Sequence, residues 1–327
     1  MSNPFKIASQ DNKLSQKVDN KPRTISKRQE TQAKFDRLWL TEAKQFAPLR
    51  NCRGKERIIR TWNLIEKHTS FKGKLAVDLG CGSGVFSKKM RDAGAAVDAV
   101  DISSNALKAL QSDNSERIAA IQDFIPHTSL EDNRYDLVVS MELIGYIPSV
   151  EHRLYMSELA RLVKSEGFVV CSTSLDINTQ DAVQSFGSLA ETEFAISEWK
   201  FSYHALQIRI SNFFKAPARF AKGWQDHHYR KQQLAKRTGF DKWWYSFNSS
   251  TAIGWLWSGL QYLAFPLVYL LDNNRTLLLG LEKICRFLWT ESGISHASFI
   301  GQRRPLIPPS KEELQAIEPK QKRQVWE

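Results

Sequence analysis

Residues 75–90 read LAVDLGCGSGVFSKKM, a short apolar run followed by glycines at the alternate positions 80, 82 and 84. The apolar run predicts a buried strand, and the segment VFSKKMRDAG predicts a helix that stops at Gly94. A glycine-rich turn between a strand and a helix lets a ligand approach the backbone closely, because no side chain stands in the way. The chain must therefore contain a strand–turn–helix unit, and that unit is a candidate ligand cradle.

The spacing of these glycines limits which class of ligand the turn could bind. No Gly-Lys-Ser or Gly-Lys-Thr follows them, which excludes a P-loop, and GxGxG differs from the GxGxxG spacing of dinucleotide folds. A purely structural turn is the simpler alternative. Three alternating glycines closely following Asp78 favour a binding site over that alternative.

Strand and helix patterns alternate from this turn to Ser174. Apolar, β-branched runs separated by amphipathic segments are typical of a parallel sheet covered by helices on both faces. The predicted fold class is α/β, a Rossmann-like doubly wound sheet with a C-terminal apolar helical insertion. The predicted strands are KLAVDLG, AAVDAVDIS, RIAAIQDFI, YDLVVSMEL and FVVCSTS.

Two acidic residues stand at strand ends. Asp101 ends the second strand, the strand that follows the one containing Asp78, and a carboxylate there can accept both hydrogen bonds of a ribose diol. Asp123 ends the third strand and could take an adenine amino group, with the neighbouring Phe124 flanking the ring. A solvated loop aspartate is the alternative for each position.

These motifs, in this order, resemble the class I S-adenosylmethionine-dependent methyltransferases over roughly residues 57–174, with a weaker continuation to Phe240. The resemblance rests on DLGCGSG, the Asp101-Ile102 pair, QDF at 122–124 and YDLVVSMELIGYI. It implies an enzyme that binds S-adenosyl-L-methionine. The cofactor-binding residues that it implies are Asp78, Gly80, Cys81, Gly82, Gly84, Asp101, Ile102, Asp123, Phe124, Met141 and Glu142.

Within that family the chain is most similar to the O-methyltransferases of ubiquinone biosynthesis. Those enzymes often carry Glu-His just after the fourth strand, whereas this chain has Gly145-Tyr146 there. Their metal or histidine-base chemistry is therefore not carried over. Tyr146 is predicted to face the substrate, no metal-ligand spacing is visible, and the catalytic base stays unassigned; His204, His227 and His228 are assigned to the surface or to helix packing.

The charge and the cysteines limit the partners and the compartment. A formal net charge of +11 favours acidic partners such as anionic lipid or nucleic acid. The four cysteines are scattered without a CxxC pair and the N-terminus has no apolar signal segment, which predicts a cytoplasmic protein. Many of the basic residues cluster in residues 1–34, which are predicted to form a disordered arm.

An unusual apolar block follows the predicted sheet. Residues 252–271 contain no charged side chain, the run is long enough to span a bilayer, and aromatic residues surround it. The next segment carries Glu282, Lys283 and Arg286, which makes it a poor second span. The SHASFIGQRRP segment predicts a last strand that must return to the same sheet, so an interfacial hairpin on the cytosolic face is favoured over a crossing.

The chain therefore divides into five predicted parts. They are a basic arm over 1–34, a methyltransferase domain with N-terminal helices over 35–250, an apolar and membrane-associated helical hairpin over 251–290, the last strand within 291–305, and a charged tail over 306–327. Within the domain, the segment WQDHHYRKQQLAKRTGF predicts a helix that ends at Gly239, and DKWWYSF predicts a strand.

Four functional hypotheses follow. The first is a membrane-associated methyltransferase acting on a lipid or a lipid-linked small molecule. The second is a soluble small-molecule or sugar methyltransferase whose apolar block is a lid or a dimer interface. A nucleic-acid methyltransferase is disfavoured because no NPPY-type motif follows strand 4 and the basic residues cluster in the arm. A non-catalytic scaffold is disfavoured by the intact glycine turn and by Asp101.

Overall fold

The computed structural model describes residues 23–111, 116–179, 181–289 and 291–305. In this part of the chain seven strands form one sheet, in the order β3-β2-β1-β4-β5-β7-β6. All neighbouring strands are parallel except at β7, which runs antiparallel to β5 and β6. The strands are β1 Leu75–Leu79, β2 Ala96–Asp101, β3 Ile118–Gln122, β4 Tyr135–Met141, β5 Val163–Ser174, β6 Phe194–Ser202 and β7 His296–Arg303.

Helices cover both faces of the sheet, which confirms the predicted α/β Rossmann-like class. Strand residues that alternate along the chain pack to opposite sides, as in β1, where Ala76 and Val77 are both fully buried but belong to different clusters. The helices of this part are α1 Arg23–Thr41, α2 Cys52–His68, α3 Val85–Asp92, α4 Ser104–Gln111, α5 His152–Leu162 and α6 Ala182–Glu191.

The strand order reverses between β1 and β4. In doubly wound sheets, ligands bind at such a switch point, outside the carboxyl ends of the strands. The glycine turn after β1, the acid that ends β2 and the residues after β4 all lie at this edge. The topology therefore brings together residues that are far apart in the sequence.

A helical subdomain, residues 205–288, is inserted between β6 and β7. Its helices are α7 Ala205–Phe214, α8 Ala216–Gln225, α9 His227–Ala235, α10 Gly239–Asn248, α11 Gly254–Asn273 and α12 Arg275–Leu288. The predicted strand DKWWYSF is wrong, because these residues form α10. The single helix predicted up to Gly239 is also wrong: it is divided at Asp226, whose side chain caps α9 by accepting from the Tyr229 N–H.

The predicted arm is partly wrong as well. Residues 23–34 belong to α1, while residues 1–22 and the predicted tail at 306–327 lie outside the described residues. Long-range polar contacts hold α1 against the domain. Arg28 pairs with Asp123 at 2.8 Å, and the Asp36 carboxylate accepts from the Ser103 hydroxyl at 2.8 Å, next to the start of α4.

The apolar block forms a helical hairpin, α11 and α12, joined at Asn274. Arg60 of α2 anchors the hairpin through two bonds to the buried Glu282 carboxylate, at 2.6 and 2.5 Å. Near the turn of the hairpin, the Gln207 amide donates to the Leu271 carbonyl at 2.8 Å. In the described part of the chain, no helix is both long enough and apolar enough to cross a membrane.

Candidate active site

A cavity of about 620 Å³ opens at the carboxyl edge of the sheet. This volume is in the range of small-molecule and cofactor sites. Ten of the eleven residues predicted to bind a cofactor line it, and so does Tyr146. They are Asp78, Gly80, Cys81, Gly82, Asp101, Ile102, Asp123, Phe124, Met141 and Glu142.

Gly84 does not line this cavity. Its φ of +76° is left-handed, and an added Cβ would lie 2.1 Å from Leu110 Cδ1 of α4. Gly84 is therefore needed for the turn and for close packing of α4. Its contact with the cofactor stays a prediction that the cavity lining does not support.

The glycine turn and the Asp101 carboxylate are joined by a hydrogen bond, and a second bond fixes the other carboxylate oxygen. The Gly82 N–H donates to Asp101 Oδ2 at 3.0 Å, and the Ser103 N–H donates to Oδ1 at 2.9 Å. The Asp101 side chain is buried, and burial raises the pKa of its carboxyl above the ordinary value. Each carboxylate oxygen keeps a further lone-pair position, so Asp101 can still accept from a ligand hydroxyl.

Asp78 connects the turn to the helix that follows it. Its Oδ2 accepts from the Ser87 N–H at 3.0 Å and from the Ser87 hydroxyl at 2.6 Å. Burial, and secondarily the nearby charge of Asp101, raise the pKa of Asp78 to about 6 against the hydrogen bonds from Ser87. Asp78 thus positions the start of α3 as well as lining the cavity.

At the predicted adenine end, Asp123 is already well supplied with donors. Its oxygens accept from the Phe124 N–H, from the N–H and hydroxyl of Ser129, and from the Arg28 guanidinium. Burial alone would raise the pKa of Asp123, but the hydrogen bonds from Ser129 and Phe124 and the charge of Arg28 together lower the pKa. The same guanidinium lies 5.8 Å from the centre of the Phe124 ring, so α1 covers this end of the cavity.

Glu142 is the centre of a polar network at the other end. Its Oε2 is 2.9 Å from the Arg57 guanidinium and accepts from the Ser174 hydroxyl at 2.5 Å, while its Oε1 bonds to His296 Nε2. Burial would raise the pKa of Glu142, but His296 and then Arg57 lower it to about 2. Glu142 also has a positive φ. Such a left-handed conformation is costly outside glycine and clusters at functional sites.

An aromatic wall closes the cavity near Tyr146. The Tyr146 ring contacts Phe35 edge-on at 5.7 Å and Phe46 at 6.2 Å, and Trp39 stacks on Phe46 at 5.2 Å. Burial, together with the charge of Glu142, raises the pKa of the Tyr146 phenol. Tyr146 is 57% exposed, so a ligand in the cavity could reach it, and its contact with the substrate stays a prediction.

Sequence reasoning missed three of the polar residues at this site, Arg28, Arg57 and His296. Arg28 and Arg57 lie on helices before the glycine turn, and nothing in their spacing relates them to strand 4. His296 begins the predicted last strand. Its position on a strand that had to return to the same sheet is the one signal that could have placed it near the carboxyl edge. The histidines weighed from the sequence lie elsewhere; among them, His204 is buried 3.8 Å from Glu282.

Among the described residues, no group of three or more His, Cys, Asp or Glu side chains could hold a metal ion.

Comparisons with known proteins agree with this architecture. The family described as "Methyltransferase domain" matches residues 77–171. Curated relatives include the ubiquinone biosynthesis O-methyltransferases of Burkholderia vietnamiensis, 34% identical over 113 residues, and of Burkholderia thailandensis, 33% identical over 115 residues. These alignments cover 33% and 34% of this chain and 48% and 49% of the relatives. The matched part of the chain thus spans about half the length of these relatives.

Two solved structures match part of the chain. One is a putative S-adenosylmethionine dependent methyltransferase from Listeria monocytogenes, with 19% identity over 43% of this chain and 86% of that chain and a TM-score of 0.38. The other is a putative sarcosine dimethylglycine methyltransferase from Galdieria sulphuraria, with 13% identity over 76% of this chain and 86% of that chain and a TM-score of 0.43.

Proposed function

Because residues 77–171 match the family described as "Methyltransferase domain", we propose that the chain is a class I S-adenosylmethionine-dependent methyltransferase that methylates a lipid or a lipid-linked small molecule at an anionic membrane surface. The observation that carries the proposal is the pairing of an intact cofactor cradle with a helical subdomain that is rich in exposed aromatic residues. The cradle supports the reaction type, and the subdomain supports the class of acceptor.

The cavity has a volume in the range of cofactor sites and a polar lining. When bound, S-adenosylmethionine supplies a methyl group on a positively charged sulfur. The cavity wall carries both signs of charge, which suits a cofactor that has a sulfonium, an ammonium and a carboxylate. Its acids are Asp78, Asp101, Asp123, Glu142 and Glu151, and its basic residues are Lys27, Lys34, Arg50 and Arg57. In this proposal Asp101 binds the ribose, Gly80 to Gly82 lie along the amino-acid end, and Ile102 and Phe124 flank the adenine.

The curated relatives suggest which atom is methylated. Their names describe O-methylation in ubiquinone biosynthesis, so we assign an oxygen nucleophile to this chain as well. Methyl transfer requires the acceptor to be aligned with the methyl group in a site that excludes water. Tyr146, Phe35 and Phe46 supply an apolar wall that can do both.

Many large apolar side chains of the helical subdomain are exposed and do not pack against the rest of the described chain. On α11 only Gly254 and Leu271 are buried, and Tyr262, Leu263 and Phe265 are 75%, 75% and 65% exposed. Exposed apolar residues in such number on one segment mark an interaction site. Tryptophan and tyrosine in particular favour the membrane interface.

The charge of this subdomain favours an anionic surface. Residues 205–288 contain 12 Lys or Arg and 4 Asp or Glu, so they carry +8 of the net +11 of the chain. The interpretation that the basic charge lies mainly in the N-terminal arm is therefore corrected. Juxtaposed basic and aromatic residues suit an anionic bilayer, to which lysine and arginine are each attracted by about 1 kcal/mol. We accordingly place the protein at the cytosolic face of a membrane.

Helix α2 connects the exposed apolar surface of the hairpin to the cavity, because it contacts both. The first turns of α2 line the cavity through Gly54 and Arg57, and the same helix contacts the end of α11. Arg53, in the first turn of α2, lies 3.8 Å from Asp272 near the end of α11. A lipid-linked acceptor held at the subdomain would thus lie beside the helix that borders the methyl-transfer site.

Two measurements test the proposal. Calorimetry should detect S-adenosylhomocysteine binding to the full chain and its loss in Gly82→Val. Labelled S-adenosylmethionine should then transfer its methyl group to a component of a total membrane lipid extract. Transfer confined to water-soluble small molecules or sugars would favour the alternative in which the apolar subdomain is a lid or a dimer interface. A wild-type chain that does not bind S-adenosylhomocysteine would overturn the proposal.

A further inference from the structure

His296 is a buried histidine in the methyl-transfer cavity to which no role has been given. It is the first residue of β7, where its backbone pairs with Ser174 of β5 and Ser202 of β6. The residue is 3% exposed, yet it lines the same cavity as Tyr146 and the glycine turn. Because β7 runs antiparallel to β5, its first residue lies beside the last residue of β5, at the carboxyl edge of the parallel strands.

One nitrogen of the ring is committed to Glu142. His296 Nε2 bonds to Glu142 Oε1, and the same oxygen accepts from the Ser172 hydroxyl at 3.2 Å. The other carboxylate oxygen is held by Ser174 and Arg57. The left-handed backbone of Glu142 costs energy that these partners offset, so the structure holds the carboxylate in one place.

The other nitrogen is available. When Nε2 donates its proton to the carboxylate, Nδ1 of a neutral imidazole is an acceptor. No hydrogen bond to Nδ1 is formed by the part of the chain that the structure describes. A histidine that lines a cavity, is oriented by a carboxylate through one nitrogen and keeps the second nitrogen unpaired among the described residues has the arrangement of a general base.

Resting on the proposed function, we infer that His296 is the general base of the methyl transfer, with Glu142 as its positioning residue. Nδ1 takes the proton of the acceptor hydroxyl while that oxygen forms its bond to the methyl carbon. The bond between carbon and sulfur breaks, and its electron pair remains on sulfur. The products are a methyl ether, S-adenosylhomocysteine and an imidazolium, which returns its proton to solvent.

The surrounding charges suit this assignment. Glu142 stays ionised and stabilises the imidazolium that forms, while Arg57 on its other oxygen keeps it from taking the proton itself. Tyr146, also in the cavity wall, lies close enough to Glu142 for the charge of that carboxylate to raise the pKa of its phenol, after burial. Behind β7, His204 lies beside Glu282, which is neutralised by Arg60. The related O-methyltransferases often have a histidine where this chain has Tyr146, and His296 would supply a base in its place.

The arrangement can be tested without any acceptor. In the full chain with ¹⁵N-labelled histidine, NMR near pH 8 should show the His296 proton on Nε2 and none on Nδ1, with the signal identified by its loss in His296→Gln. Glu142→Gln should remove that tautomer preference. A proton on Nδ1 in the wild type, or a ring protonated on both nitrogens, would overturn the inference.

Methyl transfer from labelled S-adenosylmethionine to the lipid extract gives the second test. His296→Gln should lower the rate by about 10²- to 10⁴-fold, the usual contribution of a general base, while S-adenosylhomocysteine affinity stays within about twofold. His127→Gln, at an exposed position, is the matched control. Added imidazole should restore part of the rate to His296→Ala, which a structural role for the histidine would not produce.

The two failures are distinguishable. A wild-type chain that binds S-adenosylhomocysteine but methylates nothing in the extract contradicts the proposed acceptor, and the NMR result then decides the His296 assignment alone. A His296→Gln chain that keeps the wild-type rate contradicts the base, and leaves the methyltransferase proposal standing.

Discussion

At the scale of single residues, Asp101 carries the largest expected contribution to cofactor affinity. Asp101→Ala removes two charge-assisted hydrogen bonds to the ribose, each worth about 1.5–3 kcal/mol. S-adenosylhomocysteine affinity measured by calorimetry should fall by about 100-fold or more. Asp92→Ala, at an exposed acid on α3, should leave the affinity unchanged. Wild-type affinity in Asp101→Ala would contradict the ribose assignment.

Gly84 has a structural role that the sequence pattern did not indicate, since it packs against Leu110 of α4. Gly84→Ala should lower the free energy of unfolding by about 2–5 kcal/mol, the sum of two costs. About 1–2 kcal/mol comes from the left-handed backbone and about 1–3 kcal/mol from the collision with Leu110. Gly73→Ala is the control, because Gly73 is also left-handed, with φ +74°, but a Cβ there meets nothing within 4 Å.

Urea denaturation of the two variants separates strain from collision. Gly73→Ala should lose only the backbone part, about 1–2 kcal/mol. Equal losses in the two variants would show that α4 moves aside without cost.

At the scale of elements, the sequence predicts the central strands well because their signal is local. β1 to β5 each combine an apolar run with a flanking turn, and the glycine turn and Asp101 follow from the same pattern. α10 was mistaken for a strand because its WWYSF run has high β-propensity, which tertiary packing overrides. Here Tyr245 packs under the Arg237 guanidinium at 4.3 Å and against Gly223, contacts that no local pattern reveals.

The first helix was missed for a related reason. Residues 23–34 are polar and show no helical periodicity, so composition alone indicates disorder. What orders them are partners distant in the chain, since Lys27 pairs with Glu151 and Arg28 with Asp123. His296 and Arg57 were out of reach of local reasoning in the same way, because only the assembled sheet brings them to Glu142.

We expect α1 to slow the release of the bound cofactor product. It covers the cavity with Thr31 and Trp39, and Asp36 attaches it to α4. Asp36→Ala removes hydrogen bonds to an ionised group, so the dissociation rate of S-adenosylhomocysteine should rise about tenfold. Stopped-flow displacement measures this rate. Gln29→Ala, at an exposed position of α1, is the control, and an unchanged rate in Asp36→Ala would show that α1 does not gate the cavity.

The helical subdomain depends on Glu282 for its attachment. Burial would raise the pKa of Glu282, but the hydrogen bonds from Arg60 lower it far below its ordinary 4.5. A lowered folded-state pKa gives stability that is complete above about pH 4.5 and is lost as the pH falls further. Glu282→Gln should therefore cost about 1.5–3 kcal/mol at pH 7, with the difference from wild type shrinking below about pH 4.5.

Thermal or urea unfolding at several pH values measures that difference. Glu131→Gln is the control, because its ion pair with Arg134 is exposed and such pairs contribute at most about 1 kcal/mol. A difference that stays constant from pH 7 to pH 3.5 would contradict the stabilising role of the ionised Glu282.

At the scale of the whole molecule, the position of β7 constrains how the protein can meet a membrane. β7 follows the hairpin in the chain but pairs with β5 and β6 inside the sheet. The chain must therefore return from the hairpin to the domain on the side from which it left. This geometry, together with the +8 charge of residues 205–288, favours attachment to one face of a bilayer.

The last prediction is that the subdomain binds vesicles through its exposed apolar residues. In flotation assays the full chain should bind anionic vesicles and remain bound at high salt, because the hydrophobic part of the attraction is not screened. Each large side chain inserted contributes up to about 1.5–3 kcal/mol. Replacing both Tyr262 and Leu263 by serine should thus reduce the partition coefficient by about tenfold or more, whereas the same change at the exposed Leu40 and Val150 should not.

The controls separate this attachment from its competitors. Complete release by salt, or displacement by added nucleic acid, would indicate a purely electrostatic surface and a different partner. Dimerisation that is lost in the Tyr262 and Leu263 variant, without vesicle binding in the wild type, would assign the same residues to a subunit interface.

Tags at the two chain ends should be labelled from the same side of sealed vesicles, since a hairpin that dips in and returns leaves both ends on one face. A C-terminal tag protected by the bilayer would contradict the hairpin, because β7 could not then reach its partners in the sheet.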